Sequence, residues 1–256
     1  MAVTGPAELL ATWEAGLARQ GGGRALLLHR AARPGAGTDA LLSVPLGERA
    51  ADLFALRRAL FGERMQVTLD CADPNCGEAM EFELDAAAMG ARPRLPEGGL
   101  RVAEGEWVVH FRLPSPADLT AVASLADGAS PADGATDARR LLGARCALSA
   151  RRAGRAVAEE ELAALPEPVL KRFAEAAEEA DPAAEVTLNI ACPQCGTATA
   201  AELDIAAYLW TELDAWARDV LLDVHLLASA YGWSEPEILA LSPLRRRYYL
   251  ELCADA

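Results

Sequence analysis

Cys192 and Cys195 stand three apart in a Cys-Pro-Gln-Cys-Gly turn, between two short runs of strand-forming residues (186–203, VTLNIACPQCGTATAAEL). Thiolates at this spacing aim at one point, and Gly196 supplies the positive φ the chain needs to turn back. The chemistry this suits is the binding of a soft metal ion. Two sulfurs do not complete a tetrahedral zinc site, so the chain must supply two more.

An earlier stretch does so. Residues 67–84 read VTLDCADPNCGEAMEFEL, and a slide of 119 residues lays Val67, Thr68, Leu69, Pro74, Cys76, Gly77, Leu84 and Asp85 on Val186, Thr187, Leu188, Pro193, Cys195, Gly196, Leu203 and Asp204. The match breaks at Cys71, which makes a C-x4-C spacing and falls on Ile190. Two such hairpins can give two sulfurs each to one structural Zn2+ site made of Cys71, Cys76, Cys192 and Cys195. The competing reading is an ordinary duplicated hairpin with reduced, metal-free cysteines.

The remaining chemistry is mostly excluded. The chain has three histidines, none paired at ligand spacing, and no HExxH, so a zincin-type enzyme is ruled out. The run Gln20-Gly21-Gly22-Gly23 has neither a preceding strand nor a following G-K-[ST], and reads as a connector rather than a phosphate loop. No nucleophile–base pair or paired carboxylate stands out, so the expectation is a non-enzyme with no small-molecule substrate. Six cysteines in 256 residues do not make a disulfide scaffold, and Cys146 and Cys253 read as buried thiols.

A net charge of −14 opposes nucleic-acid binding, which gains from releasing counterions off a basic footprint. A zinc ribbon that binds nucleic acid or the transcription machinery is therefore the second reading. No apolar run reaches the length of a membrane span, and the N-terminus lacks a basic-then-apolar leader, so no membrane contact and cytoplasmic synthesis are expected.

The elements that must position the cysteines follow from periodicity. Helices are expected over residues 6–19 (Leu9, Leu10, Trp13 and Leu17 on one face), 25–32 and 47–61 (Leu53, Leu56, Leu60 and Phe61). After a loop at 91–99, LRVAEGEWVVHFRL reads as a strand pair with Trp107, Val109 and Phe111 on one side and His110 on the polar side. Residues 115–125 read as a helix and 128–137 as a loop. Six arginines between Arg139 and Arg155 precede nine acids between Glu159 and Glu185, which reads as two solvated helix faces or, alternatively, a basic docking patch. The longest helix runs from Asp204 to Gly232, its buried face marked by Leu209, Leu213, Trp216, Val220, Val224, Leu227 and Tyr231, and broadened by Leu221, Leu222 and Leu226. Ser234 with Glu237 makes a capping box, and Ser242-Pro243 starts a last helix carrying Arg245, Arg246, Arg247, Tyr248 and Tyr249.

The expected fold is α+β: mainly helical, with two zinc-ribbon-like hairpins joined at one four-cysteine site and a small additional strand pair. The expected divisions are a helical region at 1–66, one intertwined domain at 67–203, and a helical region at 204–256.

The order of pieces resembles a known family. A C-P-x-C-G hairpin precedes Tyr-Leu-Trp-Thr-Glu-Leu (208–213), then Asp223-Val224-His225, Ala230-Tyr231-Gly232-Trp233-Ser234-Glu235, Glu237-Ile238-Leu239, and Arg245-Arg246 through Tyr249-Leu250. This is similar to the baseplate hub assembly chaperones of contractile phage tails, found also in prophages and phage-derived contractile injection systems. The likeness is closest over 186–252, while ERAADLFALRRALFG and the first hairpin fit more loosely. It implies a non-enzymatic role in building a baseplate around hub and spike proteins. Trp210, Trp216, Trp233, Arg245, Arg246, Arg247, Tyr248 and Tyr249 are then the candidates for partner contact. The C-x4-C spacing departs from the family's C-x2-C, leaving open whether Cys71 is a ligand or a rearranged loop carries it in.

Overall fold

The computed structural model describes residues 5–126 and 131–254. In chain order, α1 (Pro6–Leu17), α2 (Gly22–Ala32), α3 (Thr38–Leu42) and α4 (Leu46–Phe61) precede the first hairpin, β1 (Arg64–Asp70) and β2 (Ala79–Asp85). Then come α5 (Ala86–Met89), β3 (Leu100–Glu104), β4 (Trp107–Phe111), α6 (Pro116–Ala126), α7 (Pro131–Cys146), β5 (Ala147–Arg152) and β6 (Arg155–Ala156). A 3-10 turn at Glu159–Ala164 leads to α8 (Glu167–Ala180), and β7 (Thr187–Ala191) with β8 (Ala198–Glu202) forms the second hairpin. The chain closes with α9 (Ile205–Tyr231), α10 (Glu235–Leu239) and α11 (Pro243–Ala254). The fold is α+β with small antiparallel sheets, as the sequence leads one to expect.

The chain divides into two compact units, residues 1–34 with 205–256, and residues 35–204. These divisions run along different lines from the 1–66, 67–203 and 204–256 segments drawn from sequence, because α1 and α2 pack on α9, from the far end of the chain.

The helical unit is organised on α9. Leu209, Leu213, Val220 and Leu227 are buried on one face, as their spacing predicts. Gly16 allows the Trp210 ring to lie directly on α1, where a Cβ would overlap the indole. Arg24 stacks over the same ring, 4.4 Å from its centroid. The Trp13 Nε1–H donates to Asp214 Oδ1 at 2.7 Å. Leu221, Leu222 and Leu226 do not broaden the buried face: they are exposed, since they point away from the a/d-like row that α1, α2, α10 and α11 cover. Gly21 turns the chain with φ +45°, but Gly22 and Gly23 already belong to α2, so the expected glycine connector is shorter.

In the other unit, β3-β4-β5-β6 form one four-stranded sheet. The expected strand pair is thus half of the sheet, and the arginine-rich segment is its other half. The helix stops at Cys146, and Arg151 and Arg152 lie on β5 where a helical face was expected. The turn at Ala153-Gly154, both with positive φ, folds β6 back. An Ala-Leu-Ser-Ala alternation beside Val109 and Phe111 gains more from completing a sheet than from extending a helix. Val102, Val109, Phe111, Leu113, Val169, Leu170 and Phe173 form the core beneath it, with Phe111 stacked on Phe173 at 4.2 Å. His110 lies on the opposite face, half-buried, its Nδ1 3.4 Å from Ser149 Oγ. The expected loop at 128–137 is helical from Pro131 onward, and positions 128–130 lie outside the described residues.

A buried carboxylate ties this sheet to its helices. Asp118, fully buried at the first turn of α6, accepts from Arg112 Nη1 and Nη2 at 2.6 and 2.8 Å and from Arg145 Nε at 3.0 Å. It also accepts from the backbone and hydroxyl of Ser115, at 3.0 and 2.7 Å. Burial alone would raise the Asp118 pKa, but Arg112 and Ser115 outweigh it and hold the carboxyl far below the usual carboxylate range.

Candidate metal centre

Both cysteine hairpins are shaped by alternation. In the first, Met65↔Leu84, Val67↔Phe82 and Leu69↔Met80 pair on the sheltered face, while Gln66 Nε2 donates to Glu83 on the other at 3.1 Å. In the second, Leu188↔Ala201 and Ile190↔Thr199 occupy the sheltered face. An isolated two-stranded hairpin is marginal in water, so each needs a support beyond its own ladder.

The two ladders end alike. The last pairs are Asp70↔Ala79 and Ala191↔Ala198, and the next residue on each first strand is a cysteine. Cys71 N–H donates to Glu78 O, and Cys192 N–H donates to Thr197 O, both at 2.9 Å. Cys71 therefore stands where Cys192 stands, and Cys76 where Cys195 stands. The first turn holds four residues between its cysteines and the second holds two. This explains the broken match of the unbroken 119-residue slide: the register changes inside the turn. Asp73 takes up the extra length, its carbonyl accepting from Cys76 N–H at 3.0 Å and its Oδ1 accepting from Asn75 N–H at 2.9 Å. Gly77 (φ +65°) and Gly196 (φ +77°) then turn the two chains back in the left-handed region, as the sequence requires at both positions.

All four sulfurs meet. Cys71, Cys76, Cys192 and Cys195 place their Sγ atoms within 4.8 Å of one another, a group able to hold a metal ion. Close approaches run between hairpins, Cys71–Cys195 at 3.5 Å and Cys76–Cys192 at 3.8 Å. Cys192 is buried, Cys71 and Cys76 are half-buried, and Cys195 is exposed. A second link joins the hairpins, from Ala72 N–H to the Thr199 hydroxyl at 3.0 Å. Thr199 was not singled out from sequence, because a threonine in a strand carries no signal of its own.

The thiols titrate unequally. The Thr197 hydroxyl and backbone N–H pull Cys195 down to about 6, helped by the neighbouring thiols of Cys71 and Cys76. At Cys76 the Glu78 N–H lowers the value, but burial and the sulfurs of Cys195, Cys192 and Cys71 outweigh it and push the thiol up to about 12. Cys71 is also raised: an Asp73 N–H at 3.4 Å favours its thiolate, while burial and the sulfurs of Cys195 and Cys192 oppose it. One thiolate forms easily here and the next ones are resisted by its charge. A divalent cation at the centre removes that resistance, so the donor set fits a soft metal ion.

The other sequence candidates are placed as follows. Trp210 is packed against Gly16 and Arg24 inside the helical unit, and Arg246 is buried in an ion pair with Asp223 at 2.9 Å, so neither presents a free face. Trp216, Trp233 and Tyr249 are half-buried. Trp233 stacks on Tyr231 at 4.6 Å and meets Tyr249 edge-on at 4.9 Å, so these rings hold the α9–α11 corner together. Arg245, Arg247 and Tyr248 are exposed, with Arg247 bridged to Glu251 at 3.0 Å. Among the described residues, no helix is long and apolar enough to cross a membrane.

Comparison with protein-family models, with curated proteins and with solved structures gave no match.

Proposed function

We propose that this chain is a non-enzymatic assembly or structural protein in which a zinc ion staples two distant hairpins into one zinc-ribbon-like, pseudo-repeated unit. The carrying observation is the convergence of four sulfurs from two hairpins within 4.8 Å. A tetrahedron with metal–sulfur bonds of about 2.3 Å has sulfur–sulfur edges of about 3.8 Å, close to the two inter-hairpin approaches of 3.5 and 3.8 Å. Four thiolates complete such a coordination sphere and leave no position for water or substrate, which favours a structural ion over a catalytic one.

The partner class rests on the sequence resemblance: hub or spike proteins of a contractile-tail or injection-system baseplate. Exposed Arg245, Arg247 and Tyr248 on α11 supply side chains of the kind that anchor protein interfaces. The net charge of −14 disfavours the nucleic-acid reading.

Elemental analysis of the purified chain tests the staple, and about one zinc per chain is expected. Cys192→Ser should lose the metal together with solubility, because four-sulfur binding energy is also folding energy. A metal-free wild-type protein that remains folded would refute the staple. The partner reading is checked by co-purification with hub and spike proteins of a contractile tail, wild type against an Arg245→Glu/Tyr248→Ala variant. Equal absence of binding in both would remove it.

A further inference from the structure

The arrangement of the four sulfurs bears on more than metal retention. Two close approaches run between hairpins, Cys71–Cys195 at 3.5 Å and Cys76–Cys192 at 3.8 Å, within a cluster whose four sulfurs all lie within 4.8 Å of one another. Cys195 is the exposed member, and Cys71 on the other hairpin lies 3.5 Å from it. Cys192, by contrast, is only 2% exposed. An oxidant arriving from solvent therefore meets Cys195 first, and the half-buried Cys71 is within 3.5 Å of it.

We propose that the centre is a redox-modifiable cross-link: a hydroperoxide converts the four thiolates into two inter-hairpin disulfides, Cys71–Cys195 first and Cys76–Cys192 second, and the metal is released. The proposal rests on the zinc reading above and adds to it the pairing, the order and the consequence.

The chemistry balances with hydrogen peroxide as the oxidant. The Cys195 sulfur attacks one peroxide oxygen, an S–O bond forms, the O–O bond breaks, and the departing hydroxide takes a proton to become water. The Cys71 sulfur then attacks Cys195, an S–S bond forms, the S–O bond breaks, and the departing hydroxide takes a second proton from solvent to leave as water. Two electrons have passed from the two sulfurs to the peroxide. A second peroxide does the same at Cys76 and Cys192. Closing a gap of 3.5 Å to a bond of about 2.0 Å asks for a shift of about 1.5 Å, within reach of side chains on turns. Because both bonds join the same two hairpins that the metal joins, oxidation exchanges one cross-link for another and the hairpins stay together.

The test uses the full chain as purified with its metal. Zinc content is measured before treatment. Hydrogen peroxide is then titrated in, released zinc is followed with a chromophoric chelator, and disulfides are mapped by mass spectrometry of non-reduced peptides. The expected result is one zinc released per chain, peptide 71 joined to 195 at the lower peroxide dose, and 76 joined to 192 at the higher. Buried Cys146 should remain a free thiol throughout. A thiol reductant followed by zinc should restore the starting state. Absence of zinc before treatment overturns the metal reading and this one with it. Zinc that is present but retained at excess peroxide, or released with Cys192 joined to Cys195, overturns this inference alone.

Discussion

At the scale of single residues, the metal centre depends on more than its sulfurs. Thr199 lies at 5% exposure and accepts the Ala72 N–H, holding the longer turn against the second hairpin. Groups that orient metal ligands typically change affinity by about 10–100-fold when removed. Thr199→Val keeps the volume and deletes the acceptor. It should weaken zinc binding by about tenfold or more, with a stability cost of about 1 kcal/mol, since water reaches the exposed Ala72 backbone and replaces part of the bond. Competition against a chelator of known affinity measures the first, and urea unfolding the second. An unchanged zinc affinity would mean that the turn is held by the metal alone.

At the scale of elements, the four-stranded sheet is tied to α6 and α7 by Asp118. Replacing it with asparagine leaves Arg112 and Arg145 facing each other without their counter-charge. Breaking a buried ion pair costs about 3–5 kcal/mol, and the low end applies here because both guanidiniums are 39% exposed. Asp118→Asn should therefore destabilise the 35–204 unit by about 3 kcal/mol near neutral pH, read from denaturant midpoints. The pH dependence has a definite sign. The folded pKa lies below the unfolded value of about 3.9, so the stabilisation is fully present above that value and is lost as pH falls through the folded one. The gap between wild type and variant should narrow only in acid. A gap that instead narrowed on going from pH 5 to pH 8 would contradict this account.

At the scale of the whole molecule, every sulfur of the centre belongs to the unit spanning residues 35–204, and none to the unit built on α9. Chelation of the metal should then act selectively. Backbone hydrogen exchange is expected to rise in β1, β2, β7 and β8, whose ladders are marginal alone. In α9, protection should persist, because its buried row is covered by α1, α2, α10 and α11 within its own unit. Exchange that rose equally in both units would show that the centre supports the entire chain.

The sequence by itself determined the cysteine hairpins, the glycines at their turns, the long helix α9 and its buried row, and the acidic charge. Each of these is written in local spacing: period two for strands, three to four for a helix, and left-handed glycine at a turn. It also held, unread, the two-residue difference between the turns, because an unbroken slide places Cys71 on Ile190 where a gap inside the turn places it on Cys192. Other features were decided only by tertiary structure. Whether Ala147–Arg152 became strand or helix depended on a free sheet neighbour in β4, which local propensity does not encode. Exposure of Leu221, Leu222 and Leu226, and burial of Trp210 and Arg246, depended on which helices cover which side of α9 and on where a glycine or an aspartate waits. The meeting of four sulfurs drawn from positions 71 to 195 is of the same kind. Spacing prepares each pair, but only the packing of one hairpin against the other brings the pairs to a common point.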